Sequence, residues 1–327
     1  MTRHTTEELR QLVPKMREKG FYIPQQQRKI DWSAYTINQI RDIIDTLHFI
    51  RKEVDKVHIP RQTRGVGRPP IDEGILAKII LFVELFHIPE RKAEGWVLII
   101  GPHLGINKPI DDRVIGKAYQ NSIVTDILHR VFKNNLSSDG NMGGDGTGLE
   151  RSRKQNYEST KSKEGTYMTS IVDSREIVLA FDLGTKQECR AMHGLVAEIK
   201  GCLKTDIDKI LVNAKLTLDA GFIDRKLSQL IENSGIIPYI FPKTNTTINS
   251  RGSRAWTRML NKIVDDVQGW LKEYHIRSHT ESFHSSFKRV FGIVTKIRTS
   301  AVYTQVLCRI VHNNRRKTDY FAMMQIR

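Results

Sequence analysis

The hydrophobic pattern of this chain changes near residue 140, and that change limits the folds open to it. Before it, apolar residues recur at helical spacing, as in the stripe of Ile37, Ile40 and Ile44. After it, the β-rich runs TYMTSIVDS and EIVLAFDL are separated by a turn at residues 174–175. Strands and helices then alternate. The sequence therefore predicts an α/β domain with a mixed sheet, preceded by an all-α N-terminal region.

The predicted elements place a domain boundary between residues 137 and 143. We assign 1–138 to a helical N-terminal region and 139–327 to an α/β domain. Residues 59–70, IPRQTRGVGRPP, are predicted to form a basic linker, because they combine two glycines, three prolines and three arginines. In the second domain the pattern predicts a helix over 188–203, strands at LTLDAGF and IIPYIFPK, a helix DRKLSQLIENSG ending at Gly235, and helices after about residue 254.

The charge of the chain indicates a polyanionic partner. The formal net charge is +16 over 327 residues, and the sequence pI is about 9.8. Residues 277–317 hold nine Lys or Arg and one acid, so nine minus one leaves +8 of that total. Nucleic acid is the first candidate partner. A solubilising surface is the alternative interpretation.

The cysteine usage and the N-terminus indicate a protein of the reducing cytoplasm. The three cysteines contain no C-x-x-C pair, which argues against a disulfide framework or a zinc module. The N-terminal MTRHTTEELR is too polar for a signal peptide. The longest apolar stretch, ILAKIILFVELF, contains two charged residues and is too short to span a bilayer, so we expect no membrane partner.

One helical segment near the C-terminus carries an unusual polar stripe. The pattern Y-x2-R-x3-E-x6-K is formed by Tyr274, Arg277, Glu281 and Lys288. At about 100° per residue these four share one narrow face. The apolar residues predicted on the opposite, core-facing side are Ile276, Phe283, Phe287 and Val290. A carboxylate between cations on one face suits a metal-binding group beside bound phosphates.

Two further acids complete a candidate metal site. Asp145 lies in GGDGTGL on the first predicted strand, and Asp219 lies where the strand LTLDAGF meets a loop. Together with Glu281 they could converge at a sheet edge, and Mg²⁺ prefers such oxygen ligands. Spacing alone leaves a plain turn role for Asp145 and a helix-capping role for Asp219 open. Other candidates for the first position are Asp139, Asp173 and Asp182.

These motifs resemble those of the DDE transposases of bacterial and archaeal insertion sequences, in the group marked by a Tyr-Arg-Glu-Lys signature. The signature residues match in type and spacing. GDGTGL is similar to the first strand of the family, and LDAGF resembles its D-x-G-[YF] motif. GRPPIDEGILAKIILFVELF resembles the helical DNA-binding region that often precedes the catalytic domain. The resemblance covers roughly residues 65–315.

The resemblance implies a ribonuclease H-like catalytic domain and metal-dependent DNA cleavage and strand transfer. Asp145, Asp219 and Glu281 would then hold two Mg²⁺ or Mn²⁺ ions. The residues expected to bind DNA are Tyr274, Arg277, Lys288 and Arg289. The expected partners are element-end and target DNA, with a homodimer forming on two ends. The 62 positions from 219 to 281 (281 minus 219) leave no room for the β-rich insertion of some relatives.

Two other functions fit the same residues less well. A catalytically inactive DNA-binding protein derived from a transposase would share the positive charge, and a metal-dependent nuclease would share the chemistry. Each unneutralised acid weakens DNA binding, so a pure binder has no need of carboxylates among phosphate-binding cations. The sequence therefore favours the enzyme. End recognition is expected from the helical N-terminal region, with Arg61, Arg64 and Arg68 in its basic linker.

Overall fold

A computed structural model gives the fold of this chain. The structure describes residues 4–24, 30–60, 70–150, 166–184, 187–202, 213–249 and 252–325. The arginines of the predicted linker, at positions 61, 64 and 68, lie outside the described residues.

Six helices precede the first strand in the described part of the chain. They are α1 Thr6–Met16, α2 Trp32–Val57, α3 Glu73–Phe86, α4 Glu90–Leu104, α5 Asp112–Ala118 and α6 Ser122–Asn134. Local chemistry fixes several of their starts. Thr5 and Glu8 form a capping box at α1, and Asp31 caps α2. Proline at position 89 and a left-handed Gly105 bound α4.

Five strands form one mixed sheet. They are β1 Asn141–Leu149, β2 Thr166–Asp173, β3 Val178–Gly184, β4 Lys215–Leu218 and β5 Ile237–Ile240. Their order across the sheet is β3-β2-β1-β4-β5. β1, β2 and β3 pair antiparallel, whereas β4 pairs parallel with β1 and β5 parallel with β4. The prediction of an α/β fold with a mixed sheet is confirmed.

The remaining helices follow or cross between the strands. They are α7 Glu188–Cys202, α8 Arg225–Asn233, α9 Arg254–Asp265, α10 Val267–Tyr274, α11 Ser278–Phe291 and α12 Thr299–Gln325, with short 3-10 helices at Ala220–Phe222 and His275–Arg277. The predicted helix over 188–203 and both predicted strands at LTLDAGF and IIPYIFPK are present. Gly235 has φ +79° just beyond α8, as the predicted glycine stop requires.

The described residues divide into two compact units that are each discontinuous in sequence. The first comprises described residues within 1–29, 137–149 and 164–286, and the second those within 30–136, 150–163 and 287–327. Compactness thus groups α1 with the sheet and α12 with the helices that precede it. The division at residue 138 remains a prediction about function, because the chain returns to the helical unit after the sheet is complete.

The core of the first unit lies between the sheet and its helices. It is built from apolar side chains of the central strands and of α7, such as Met142, Leu216, Leu218, Met192 and Val196. β4 and β5 are short and their last three residues are buried, as expected of parallel strands that are covered on both faces. This core supports the sheet edge where the candidate site lies.

The helical unit contains a buried polar network that absorbs part of the basic C-terminal charge. Arg309 donates to Glu84 over 2.8 Å, and Tyr119 Oη and Gln305 Nε2 donate to the same carboxylate over 2.7 and 2.9 Å. Arg315 is also buried and pairs with Asp42. The +8 of residues 277–317 is therefore not all available to DNA, because these two guanidiniums neutralise the buried Glu84 and the partly buried Asp42.

No helix in the described ranges is both long enough and apolar enough to cross a membrane.

Candidate active site

The glycine-rich β1 brings Asp145 into direct range of the C-terminal helices. Side chains alternate along a strand, so Gly143 and Asp145 share one face. A Cβ at position 143 would lie 2.3 Å from Thr280 Oγ1 and 3.4 Å from the Cα of Arg277. Only glycine at 143 lets the segment carrying Arg277 and Thr280 pack this closely over the strand. The opposite face meets α7, where a Cβ at position 144 would lie 2.7 Å from Met192 Cε.

This close approach gives a first prediction. We expect Gly143→Ala to lower the free energy of unfolding by about 1–3 kcal/mol, the usual cost of overpacking, and to reduce activity by displacing Arg277. Gly148→Ala is the matched control on the same strand, because a Cβ there meets nothing within 4 Å. Chemical denaturation of both variants checks the prediction. Equal stability of the two variants would contradict it.

Asp219 lies next to Asp145 at the same sheet edge. β1 and β4 are parallel neighbours, and Gly144 pairs with Leu218 at the end of their ladder. Asp145 follows Gly144 and Asp219 follows Leu218, so the two aspartates lie side by side on the neighbouring chain segments. Asp219 also caps the 3-10 helix Ala220–Phe222, since its Oδ1 accepts from the backbone N–H of Gly221. The capping role and the site role thus use different oxygens of one carboxylate.

One guanidinium contacts all three predicted acids. Arg277 Nη1 lies 2.9 Å from Glu281 Oε1, and Nη2 lies 3.6 Å from Asp145 Oδ2 and 3.7 Å from Asp219 Oδ2. The side chain of Arg277 is 22% exposed, Asp145 19%, Asp219 43% and Glu281 56%, so the cluster opens to solvent on the Glu281 side. The structure therefore brings Asp145, Asp219 and Glu281 around a shared cation.

The segment carrying the signature is not one regular helix. We expected a single helical stripe from Tyr274 to Lys288, but α10 ends at Tyr274 and a 3-10 turn, His275–Arg277, joins it to α11. The tighter 3-10 turn rotates Tyr274 relative to Glu281, so the projection at about 100° per residue does not hold across it. Within α11, Phe283 and Phe287 are buried as predicted, whereas Val290 is 44% exposed, contrary to its predicted core position.

Two contacts fix α11 and Tyr274 over the sheet. Ser170, which faces Asp145 across the β1–β2 ladder, is hydrogen-bonded to His284 of α11 over 3.0 Å and both are buried. Tyr274 stacks on the buried Trp270, with ring centroids 5.0 Å apart and an interplanar angle of 12°. Packing against Trp270 therefore holds the Tyr274 phenol beside Arg277.

Lys288 and Arg289 lie in the last turns of α11 and are both exposed. From residue 287 onward this helix belongs to the helical unit. The three alternative acids have other roles. Asp173 is buried and bound to Arg175, Asp139 accepts from the backbone N–H of Asn141, and Asp182 is exposed on β3. None of these three contacts Arg277 in the described ion pairs.

Burial and neighbouring charge set the protonation of the site. Burial raises the pKa of Asp145, and Asp219 and Glu188 raise it too, while Arg277 and the backbone N–H of Gly146 act in the opposite direction. Burial also raises the pKa of Tyr274. Burial lowers the pKa of Arg277, but Tyr274 and the three carboxylates together outweigh it, so this pKa is raised above its ordinary value. The cluster is thus one cation shared by several acids that repel one another.

Glu188 is a neighbour of the site that the sequence analysis missed. It begins α7 and accepts a hydrogen bond from Tyr167 Oη on β2. A Cβ at Gly146, directly after Asp145, would lie 2.9 Å from Glu188 Oε1. No motif distinguished this glutamate from other helix-starting acids, which are common at that position because of the helix dipole.

The donor set suits hard divalent cations. All three carboxylates offer oxygen, the ligand type that Mg²⁺ and Mn²⁺ prefer. Arg277 Nε and Thr280 Oγ1 beside them are buried and have no hydrogen-bond partner among the described residues. In the described part of the chain, the ion pairs of the Arg277 guanidinium are therefore those with the three acids.

Comparisons with known proteins identify the family of this chain. Residues 144–304 match the family model described as Transposase DDE domain, a range that includes all three acids and the signature segment. The chain is 26% identical to a probable transposase for insertion sequence element ISA1214 of Archaeoglobus fulgidus, over 76% of this chain and 75% of that protein. The chain belongs to the DDE transposases of insertion sequences.

A solved structure shows a more distant likeness to this transposase. It is the cryo-EM structure of the piggyBac transposase synaptic complex with hairpin DNA, at 11% identity and a TM-score of 0.41. The match covers 82% of this chain and 70% of the other. Membership of its family, which rests on the sequence matches, makes the transposase an enzyme of DNA transposition, and the family generally uses divalent metal ions.

Proposed function

We propose that the transposase cleaves and rejoins DNA at a two-metal site formed by Asp145, Asp219 and Glu281 in a ribonuclease H-like domain. The observation that carries this proposal is the single guanidinium that contacts all three acids. Three carboxylates from two strands and a helix meet at one cation-binding position, and a purely structural ion pair needs only one of them. Asp145 in the middle of β1 and Asp219 directly after the adjacent β4 supply two of the three.

The acids would hold two Mg²⁺ or Mn²⁺ ions, which supply an activated attacking oxygen and stabilise the leaving oxygen during phosphoryl transfer. The residues of the chain then position the substrate. Asp145 is fixed by β1, whereas Glu281 on the solvent side is free to reorient towards a ligand. Each of these carboxylates carries negative charge that would repel a phosphate, so cations must neutralise them before DNA binds.

Arg277 has two sets of partners available in this proposal. Without DNA it neutralises the three carboxylates. With divalent ions held by the acids, its guanidinium would be available for a phosphate next to the scissile bond, and the fork geometry of arginine suits such an oxyanion. Tyr274, held by Trp270, would present its hydroxyl to the same phosphate group.

We expect Lys288 to bind the phosphate backbone of the element end. Lys288→Ala should weaken binding to end DNA and reduce the slope of log K against log salt by roughly 0.9 for each lost phosphate contact. Lys272→Ala is the control, because Lys272 is exposed on α10, which precedes the site. Fluorescence anisotropy over a salt series measures both slopes. An unchanged slope for Lys288→Ala would remove this residue, and by extension Arg289, from the DNA interface.

The DNA partners and the assembly complete the proposal. Element ends and target DNA are the substrates, bound in the cytoplasm, and the helical N-terminal region with its basic linker recognises the ends. A homodimer would join two ends. Its support is the apolar stripe of α2, where Ile37, Ile40 and Ile44 are 39%, 74% and 61% exposed although a helix usually buries such a face. A second copy can cover this self-complementary surface. Sedimentation velocity of wild type and Ile40→Asp, with end DNA, tests this assembly.

The alternatives predict different products. A catalytically inactive DNA-binding protein would bind end DNA without cutting it, and a nuclease would cut without joining. The protein should be incubated with its flanking element-end DNA and Mg²⁺. Nicks at the element boundary, followed by joining to a second duplex, are the expected result. Binding without nicks would favour the inactive binder, and nicks without joined products would favour the nuclease.

A further inference from the structure

A second cluster of ligand-type side chains lies on α7, apart from the three acids. Cys189 and His193 are one helical turn apart, at i and i+4, so both face the same side of the helix. Asp224 reaches them from the start of α8. One thiol, one imidazole nitrogen and one carboxylate oxygen all lie within 4.8 Å of one another. Among the residues that the structure describes, no other three ligand atoms of His, Cys, Asp or Glu lie this close to one another.

The histidine–aspartate part of this cluster has a purely structural counterpart in the same chain. His193 Nε2 is 2.8 Å from Asp224 Oδ2, and Asp224 caps α8 by accepting from two backbone N–H groups. In the helical unit, His58 Nε2 is likewise 2.8 Å from Asp72 Oδ2, and Asp72 caps α3 in the same way. In the described part of the chain, a histidine bound to a capping aspartate therefore also occurs outside any metal-ligand cluster.

The added thiol distinguishes the two pairs. Sulfur, imidazole nitrogen and carboxylate oxygen are the three ligand types of zinc sites, with bonds of about 2.0–2.3 Å. Ligands at these lengths in a tetrahedron stand roughly 3.3–3.8 Å apart. The His193–Asp224 contact of 2.8 Å must therefore open slightly, and the thiol, within 4.8 Å of both partners, is near enough to join them. Cys189, His193 and Asp224 are partly exposed, which leaves an entry path and a fourth position for water.

We propose that Cys189, His193 and Asp224 form a binding site for one Zn²⁺ ion. The thiol loses its proton to solvent when it coordinates the metal, and His193 coordinates through Nε2 with its proton on Nδ1. Sulfur ligation excludes Mg²⁺ from this site, so it is chemically distinct from the all-oxygen site of Asp145, Asp219 and Glu281. The sequence signal for this site is the C-x3-H spacing of Cys189 and His193, which differs from the C-x-x-C pairs of common zinc modules.

The ion would join α7 to the segment that carries Asp219. Asp224 lies five residues after Asp219, and between them the 3-10 helix Ala220–Phe222 anchors the segment through the buried Phe222. Glu188, directly before Cys189, is bound to Tyr167 of β2. A metal at Cys189 thus links both helix starts that flank the sheet edge, and it acts as a brace for the loop rather than as a catalytic ion.

The test uses the full-length protein, stripped of metal with a chelator and then titrated with Co²⁺ and with Zn²⁺. We expect one equivalent of Co²⁺ to give a thiolate-to-cobalt charge-transfer absorption that one equivalent of Zn²⁺ abolishes and excess Mg²⁺ does not. Cys189→Ser should remove this absorption. Because only a sulfur ligand produces the band, Co²⁺ bound at the three acids does not contribute to it.

The variants separate a metal site from a capping pair. Cys189→Ser and His193→Ala should each weaken Zn²⁺ binding by at least about 100-fold, since even the loss of an outer-shell partner costs 10–100-fold. His58→Ala is the matched control, because it removes the equivalent capping pair and should leave Zn²⁺ affinity unchanged. Cys189→Ser makes no change to the α8 cap, so it stays informative if His193→Ala is unstable. Absence of the cobalt band, or equal Zn²⁺ affinity in wild type and Cys189→Ser, would overturn the proposal.

Discussion

Asp145→Asn, Asp219→Asn and Glu281→Gln are each expected to lower DNA cleavage by at least about 10³-fold, because each removes an anionic ligand from the proposed two-metal site and metal ligation is worth several kcal/mol of barrier. Amide replacements keep the side-chain volume, so the fold should survive. Binding of end DNA should also survive or strengthen, since a negative charge is lost near the phosphates. A gel assay of nicks at the element boundary measures the effect.

Asp182→Asn is the control for these three variants, because Asp182 is exposed on β3 and has no contact with Arg277 in the described ion pairs. It should cleave at the wild-type rate. If one of the three site variants cleaved normally, that residue would not be a ligand, and Glu188, which lies beside Asp145, would be the next acid to test.

Arg277→Ala is expected to destabilise the metal-free protein and to make its stability depend strongly on divalent ions. Removing the guanidinium leaves the partly buried Asp145 without its cation, at a cost of about 1–3 kcal/mol. Asp219 and Glu281 are more exposed and should add little. Mg²⁺ or Mn²⁺ should then raise the unfolding midpoint of the variant more than that of wild type, because the ions replace the missing positive charge.

The pH dependence of this loss has a definite sign. The pKa of Asp145 is raised in the folded protein, mainly by burial, so the folded state binds this proton more tightly than the unfolded chain. Ionising Asp145 therefore costs stability as the pH rises from its ordinary pKa, about 3.9, through the raised one. Without Arg277 that pKa rises further. The stability difference between wild type and Arg277→Ala should be largest at neutral pH and smallest below about pH 3.9.

Arg258→Ala provides the comparison for Arg277→Ala. Arg258 pairs with Glu232 at the surface, with 48% of its side chain exposed, so its loss should change stability little and without a response to Mg²⁺. Thermal unfolding of both variants across pH and Mg²⁺ concentration tests the argument. If Mg²⁺ stabilised Arg277→Ala no more than wild type, the guanidinium would not occupy a metal-binding position.

Most of the sheet could be predicted from the sequence because its strands are short, β-rich and bounded by turns. The β-rich runs at 166–173 and 178–184 flank one turn, and β4 and β5 are short strands whose last three residues are buried. The hydrophobic pattern of the sequence did not predict which helices group into one compact unit. α12 packs against α2, α3 and α6, and such pairing between distant helices leaves no local periodicity to read.

The acids of the site could be proposed from motifs, but their grouping could not. The motif GGDGTGL around Asp145 contains four glycines, and the role of Gly143 becomes clear only from its close approach to Thr280. The signature predicted one helix, whereas a 3-10 turn at His275–Arg277 places Arg277 among the acids. Cation placement of this kind depends on tertiary packing. For the same reason, the charge count overstated the DNA-binding surface, since Arg309 and Arg315 are buried against Glu84 and Asp42.

The most direct test of the two-metal site is a change of its metal preference. Asp219→Cys replaces a hard oxygen ligand with sulfur, which Mg²⁺ binds poorly and the softer Mn²⁺ tolerates better. We predict that correctly folded Asp219→Cys fails to nick end DNA in Mg²⁺ and regains nicking in Mn²⁺, while Asp182→Cys and wild type cleave with both ions. If folded Asp219→Cys responded to the two ions as wild type does, Asp219 would not be a metal ligand and the account of the site would be contradicted.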